Sequence, residues 1–117
     1  MKIPTDGYLL RMFIGEGDHW HGQPLYEAIV MKARELHLAG ATVLRGPMGF
    51  GANSRLHTTR VLRLSEDLPI VIEIVDSKEK IDELLPHIDD MVQEGLVTLE
   101  KVQVIKYRAG DSEGAIV

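Results

Sequence analysis

At 117 residues the chain has room for one domain with a real core, and its net charge of −5, with a pI near 5.5, offers no general attraction to a nucleic-acid backbone. The absence of cysteine excludes disulfides, thiolate metal sites and a cysteine nucleophile, so any metal would have to be held by histidines and carboxylates. Residues 1–7 (MKIPTDG) carry no charged-then-apolar signal pattern and no run is long enough to span a bilayer, from which a soluble cytoplasmic protein is expected.

Tyr8 to Ile14 (YLLRMFI) reads as a first strand, interrupted by Arg11 and followed directly by Gly15 and Gly17. Pro24 suits the first position of a helix, and Leu25, Ala28, Ile29, Ala33 and Leu36 recur at helical spacing until Gly40 supplies a stop, which predicts a helix over 24–39. Ala41 to Leu44 is a second strand, and Leu68 to Val75 (LPIVIEIV) is the clearest strand in the chain. Asp76-Ser77-Lys78-Glu79 has the form of a capping box with Asp76 as the acceptor, opening a helix over 77–93. Its apolar stripe is Ile81, Leu84, Leu85, Ile88, Met91 and Val92, and Pro86 is expected to kink it. Val97 to Tyr107 alternates locally, but the apolar register slips between Leu99 and Val102, which predicts a bulge or break in a fourth strand; Ala109 to Val117 reads as a mobile tail.

The order β-α-β-β-α-β predicts an α+β, ferredoxin-like sandwich: a four-stranded antiparallel sheet with both helices on one face. The other face is then open. The third strand carries Ile70, Ile72 and Ile74 on one side but Val71 and Val75 on the other, with Glu73 its only charge, so both faces call for burial and a partner subunit is the simplest cover. Topology also sends the loop 15–23, the long hairpin loop 46–64 and the turn at Gly95 to one end of the sheet, where three loops can form a cleft.

The long loop opens on Leu44-Arg45-Gly46-Pro47-Met48-Gly49-Phe50-Gly51. Glycines there let main-chain N–H groups approach an anion closely, or simply let a hairpin turn. Read from this segment alone, both remain open.

Several segments together resemble the PII-like signalling proteins. Gly40-Ala41-Thr42-Val43 is similar to the opening of the PII second strand, Gly49-Phe50-Gly51 to the base of its long T-loop, Leu68-Pro69 with Val71 to Val75 to the returning strand, and Val104 to Asp111 to the basic C-terminal strand and tail. The match is nearly continuous with a branch of that superfamily, the domain-of-unknown-function family numbered 190, through Pro24 to Ile29, Ala39 to Gly46, Gly49 to Gly51, His57-Thr58 and Asp67 to Pro69. The resemblance implies a cytoplasmic homotrimer that binds a small anionic ligand, commonly an adenine nucleotide, in clefts between subunits. It implies readout by movement of the 46–64 loop, no catalysis, and a membrane transporter or channel as a readout partner. The PII glycine-rich signature after the second helix is reduced here to Gly95-Leu96-Val97-Thr98-Leu99-Glu100-Lys101, so ATP itself does not carry over, and with no tyrosine in 46–64 neither does regulation by uridylylation.

By the same resemblance Lys106 and Arg108, at i and i+2, match the two basic positions that reach phosphates across the subunit boundary. Thr42, Gly46, Gly49 and Gly51 match its backbone and hydroxyl contacts. Arg45 could hold a phosphate bidentately or pair with a neighbouring carboxylate. An alternative reading is a metal-binding ferredoxin-like trimer that uses His19 and His21, with Asp18 or Glu16, in the segment Glu16 to Gly22. Trp20 could stack on a base or pack the loop, and His57 has no nucleophile beside it, so no catalytic set emerges and no cofactor is called for.

Overall fold

The computed structural model describes residues 6–50, 68–108 and the strand 56–58. In chain order the elements are β1 (Asp6–Gly15), β2 (His19–Trp20), β3 (Gln23–Pro24), α1 (Leu25–Glu35), β4 (Thr42–Arg45), β5 (Met48–Phe50), β6 (Leu56–Thr58), β7 (Pro69–Asp76), α2 (Lys78–Met91) and β8 (Leu96–Gln103). β4, β7, β1 and β8 form one antiparallel sheet in that spatial order, and β2–β3 and β5–β6 are small separate ribbons. With the ribbons set aside, the chain is the expected βαββαβ ferredoxin-like sandwich.

The core follows from period-two strands packed on period-3.6 helices. Leu10, Met12 and Ile14 of β1 lie directly opposite Ile74, Ile72 and Ile70 of β7. This six-residue floor is buried under Leu25, Ala28, Ile29 and Ala33 of α1 and Ile81, Leu84, Ile88 and Met91 of α2. Fully burying one such aliphatic side chain contributes about 1.5–3 kcal/mol, so this layer is the main source of stability.

The helix ends differ from expectation. α1 stops after Glu35 rather than running to Gly40, because His37 takes a positive φ of 65°. The Leu38 N–H then donates to Ala33 O and the His37 N–H to Arg34 O, both at 3.0 Å, which satisfies the last carbonyls in a Schellman motif built on histidine in place of the usual glycine. Lys80 Nζ caps a further carbonyl, Leu36 O, at 2.8 Å. At the start of α2 the cap is Ser77, whose Oγ accepts from the Lys80 N–H at 3.2 Å; Asp76 is committed elsewhere. Pro86 sits on the exposed side of α2, where water can reach the Asp82 carbonyl that its missing N–H leaves free, and the helix continues through it.

β8 pairs with β1 without interruption from Phe13↔Leu96 to Asp6↔Gln103, so it contains no bulge. The slip in its apolar pattern is a change of face inside the paired strand, Leu99 standing opposite Leu10 and Val102 opposite Gly7; residues 104–108 leave the sheet, shortening the strand expected to reach Tyr107. The tail 109–117 lies outside the described residues.

On the face away from the helices, Leu44, Val71, Phe13 and Leu96 stand side by side across all four strands, and Phe13, Leu44 and Leu96 are 38%, 49% and 56% exposed. The next row is Thr42, Glu73, Arg11 and Thr98. Arg11, the charge that interrupts the first strand's pattern, donates from Nε to Glu73 Oε2 at 2.9 Å and from Nη1 to Glu100 Oε1 at 3.4 Å. The edge strands β4 and β8 are exposed along nearly their whole length, since the helices cover only the central pair.

Candidate functional site

Taking β1 to run upward, the upper end of the sheet gathers the start of β7, the ends of β1 and β4, and the start of β8. The expected convergence of loops takes place there. The Glu16 N–H donates to Leu68 O and the Gly46 N–H to Pro69 O, both at 2.8 Å, so the first loop and the base of the long loop are tied to adjacent residues of the returning chain. Arg45 Nη2 meets Glu16 Oε2 at 2.5 Å, with the Arg45 side chain 56% exposed and that of Glu16 26% exposed. The neighbouring carboxylate that the sequence left open as a partner for Arg45 is Glu16.

The glycines of the loop base have a packing role. A Cβ on Gly46 would stand 3.0 Å from Pro69 Cγ, and one on Gly49 would stand 3.2 Å from the same atom. The loop base thus lies flat on the Pro69 ring, which side chains at 46 and 49 would lift away. From there β5 pairs with β6 through Met48↔Thr58, Gly49↔His57 and Phe50↔Leu56, so the long loop begins as a ribbon. Gly51, the His57 side chain and the remainder of 46–64 lie outside the described residues.

The first loop is also more ordered than its sequence suggests. β2 and β3 form a two-residue hairpin whose central residues, His21 and Gly22, have φ of 48° and 83°, the positive pair of a type I′ turn. The His21 ring stacks on Trp20 at 4.1 Å between centroids, which gives Trp20 its partner within the loop. His19 Nδ1 lies 2.7 Å from Gly17 O. Asp18 Oδ2 accepts from the Gly15 N–H at 3.0 Å. Among the described residues no three histidine or carboxylate side chains come together in a set able to hold a metal ion, so the His19 and His21 reading gains no third ligand. A cleft of about 360 Å³ opens between this loop and the end of α2, lined by Asp18, His19, Leu25, Met91, Gln93 and Glu94; its two carboxylates make it a poor seat for a phosphate.

At the lower end lie the other candidates. Lys106 and Arg108 are exposed beyond the last residue of β8, separated from Arg45 and Gly46 by the length of the sheet, roughly 25 Å of strand. The rationale that they share one strand face falls away because β8 has ended at Gln103. What holds them is Tyr107, whose hydroxyl donates to Ala39 O at 3.1 Å. The N–H of the same Ala39 donates to Asp76 Oδ2 at 2.7 Å, and Asp76 Oδ1 accepts from the Ser77 N–H at 2.6 Å, on a carboxylate only 2% exposed. Thr42, opposite Glu73, faces the open side of the sheet, whereas Arg45, three residues along, faces the helix side. One copy of the chain therefore unites Arg45, Gly46 and Gly49, and leaves Thr42 and the Lys106/Arg108 pair apart.

Sequence reasoning missed Pro69 as the seat of the glycines, Glu16 as the partner of Arg45, and the Asp76–Ala39–Tyr107 clamp. Glu16 stands in the first loop as an ordinary surface acid, and only the fold brings it to the loop base.

This geometry can be set beside known proteins. The family model described as Uncharacterized ACR, COG1993 (DUF190) matches residues 7–104. The chain belongs to this family. It is 39% identical over 97 residues to a UPF0166 protein of Aquifex aeolicus, covering 83% of this chain and 91% of that one. Among solved structures it resembles CPII, a nitrogen regulatory PII-like protein from Thiomonas intermedia K12 bound to ADP, AMP and bicarbonate, with a TM-score of 0.62 at 17% identity over 86% of this chain and 90% of that one. GlnK of B. subtilis in complex with ATP matches with a TM-score of 0.55 at 11% identity over 86% and 85% of the two chains. At these identities the likeness establishes the PII-like fold for this DUF190 chain. No helix among the described residues is long and apolar enough to cross a membrane.

Proposed function

We infer that this chain is a PII-like regulatory protein that assembles as a homotrimer and binds a small anionic ligand, an adenine nucleotide, between subunits. Arg45, Gly46, Gly49 and Gly51 of one copy, with Thr42, face the Lys106 and Arg108 of the next, and the 46–64 loop reports occupancy to a partner, for which a membrane transporter or channel is the proposed class. The observation that carries this reading is the separation of the two half-sites. The loop base and the basic pair sit at opposite ends of one sheet. A second copy can bring them together, and the open apolar face supplies a surface on which it can pack. The ADP and AMP bound to CPII and the ATP bound to GlnK supply the ligand class.

The protein acts by binding without turnover. Isothermal calorimetry with ADP, AMP and ATP, paired with sedimentation equilibrium, tests the reading. Saturable binding by a trimer with no nucleotide consumed is the expected result, and no heat at millimolar nucleotide would overturn it. Leu44→Asp, which puts a charge into the open apolar row, is expected to give monomers with nucleotide affinity lowered at least tenfold.

A further inference from the structure

The Arg45–Glu16 pair has a use beyond holding two loops together. Arg45 is the cation at the loop base, and the other charged groups described on the loop and cleft beside it, Glu16, Asp18 and Glu94, are acidic. With its guanidinium already matched to a carboxylate, this end offers an incoming phosphate no uncompensated positive charge among the described residues. The pair is nevertheless built to be exchanged. More than half of the Arg45 side chain is exposed, and a guanidinium carries five N–H donors, more than one carboxylate can take up, which leaves donors for a bidentate acceptor. Exposed pairs of this kind are weak, whereas a phosphate carries more charge and fits the guanidinium fork.

We propose that Glu16 is an internal competitor for the anionic ligand: its carboxylate occupies Arg45 until a phosphate group takes its place. This rests on the nucleotide-binding reading above and adds a regulatory residue to it. The exchange cuts the ionic tie between the first loop and the end of β4, while the backbone bonds from Glu16 to Leu68 and from Gly46 to Pro69 can persist, so ligand binding loosens the loop base without opening the sheet. Glu16 thereby sets the concentration at which the site responds.

The test is a double-mutant cycle on the full chain, titrated with ADP by calorimetry at fixed salt: wild type, Glu16→Gln, Arg45→Gln and the double variant. Glu16→Gln frees the guanidinium and is expected to lower Kd about two- to fivefold. Arg45→Gln is expected to raise it, and Glu16→Gln added to Arg45→Gln should bring no further gain, because nothing is left to release. Glu16→Ala serves as a second variant with the same expected sign. If wild type binds ADP and Glu16→Gln is unchanged, or its gain survives in the Arg45→Gln background, the competitor role is overturned and the binding reading stands. If wild type does not bind ADP, the binding reading falls and takes the competitor role with it.

Discussion

The two ends of the sheet are held by different physics. At the lower end, a nearly inaccessible carboxylate receives two backbone N–H groups, and one of those residues, Ala39, is held again through its carbonyl by Tyr107. Charge-assisted hydrogen bonds out of water are strong, and releasing either partner leaves a buried polar group unpaired. At the upper end, the loop base is held by an exposed ion pair, two backbone bonds and the contact of two glycines with a proline ring. Each of these is individually weak or easily exchanged with solvent or ligand. One end is an anchor, and it presents Lys106 and Arg108 from a fixed point. The other is held by weaker ties, which suits the ligand-responsive loop proposed above.

Four substitutions test that contrast, from the largest expected effect to the smallest. Asp76→Ala removes the acceptor for both the Ala39 and Ser77 N–H groups and is expected to lower unfolding stability by about 3 kcal/mol in urea denaturation; a loss of under ~1 kcal/mol would mean that the lower end is no firmer than the upper. Gly95→Ala tests an upper-end position with no room to move. Its φ is 146° and an added Cβ would stand 2.6 Å from the Phe13 carbonyl oxygen, so about 2 kcal/mol should be lost, read as a drop in Tm. Tyr107→Phe deletes a single hydrogen bond while keeping the ring, with an expected loss of about 1 kcal/mol. Nucleotide titration of that variant should also show weaker binding, since Lys106 and Arg108 lose their anchor; unchanged affinity would detach the basic pair from the site. Arg45→Gln is expected to change stability by less than about 0.5 kcal/mol, as for other exposed pairs, while weakening ADP binding. A large stability loss there would make the loop base structural and the contrast false.

Much of the fold was legible in sequence because it depends on local periodicity. The helix stripes Leu25, Ala28, Ile29, Ala33 and Ile81, Leu84, Ile88, Met91 are the buried residues of α1 and α2, and Ile70, Ile72 and Ile74 face them as alternation requires. The open face with its apolar residues was also legible, from Val71 and Val75. Element ends were less so. Asp76 and Ser77 are both good caps, and which one serves depends on whether a distant peptide, here that of Ala39, claims the first. The α1 stop at His37 had no glycine to announce it. Of the candidate site, Gly46 and Gly49 were visible as glycines but not as the neighbours of Pro69, which is about 20 residues away along the chain.

By itself the sequence determined the order of elements, the faces that must be buried and the family to which the chain belongs, because these follow from side-chain spacing and from residue identity along short segments. The tertiary structure alone decided which charge meets which. Arg45 meets Glu16, Arg11 meets Glu73 and Glu100, and Asp76 meets Ala39, all pairs that sequence separation hides and strand register creates. It also decided that the basic pair lies a full sheet length from the glycine base, because β8 runs antiparallel to β1 and ends at the opposite side. A second copy is the simplest way to reunite them.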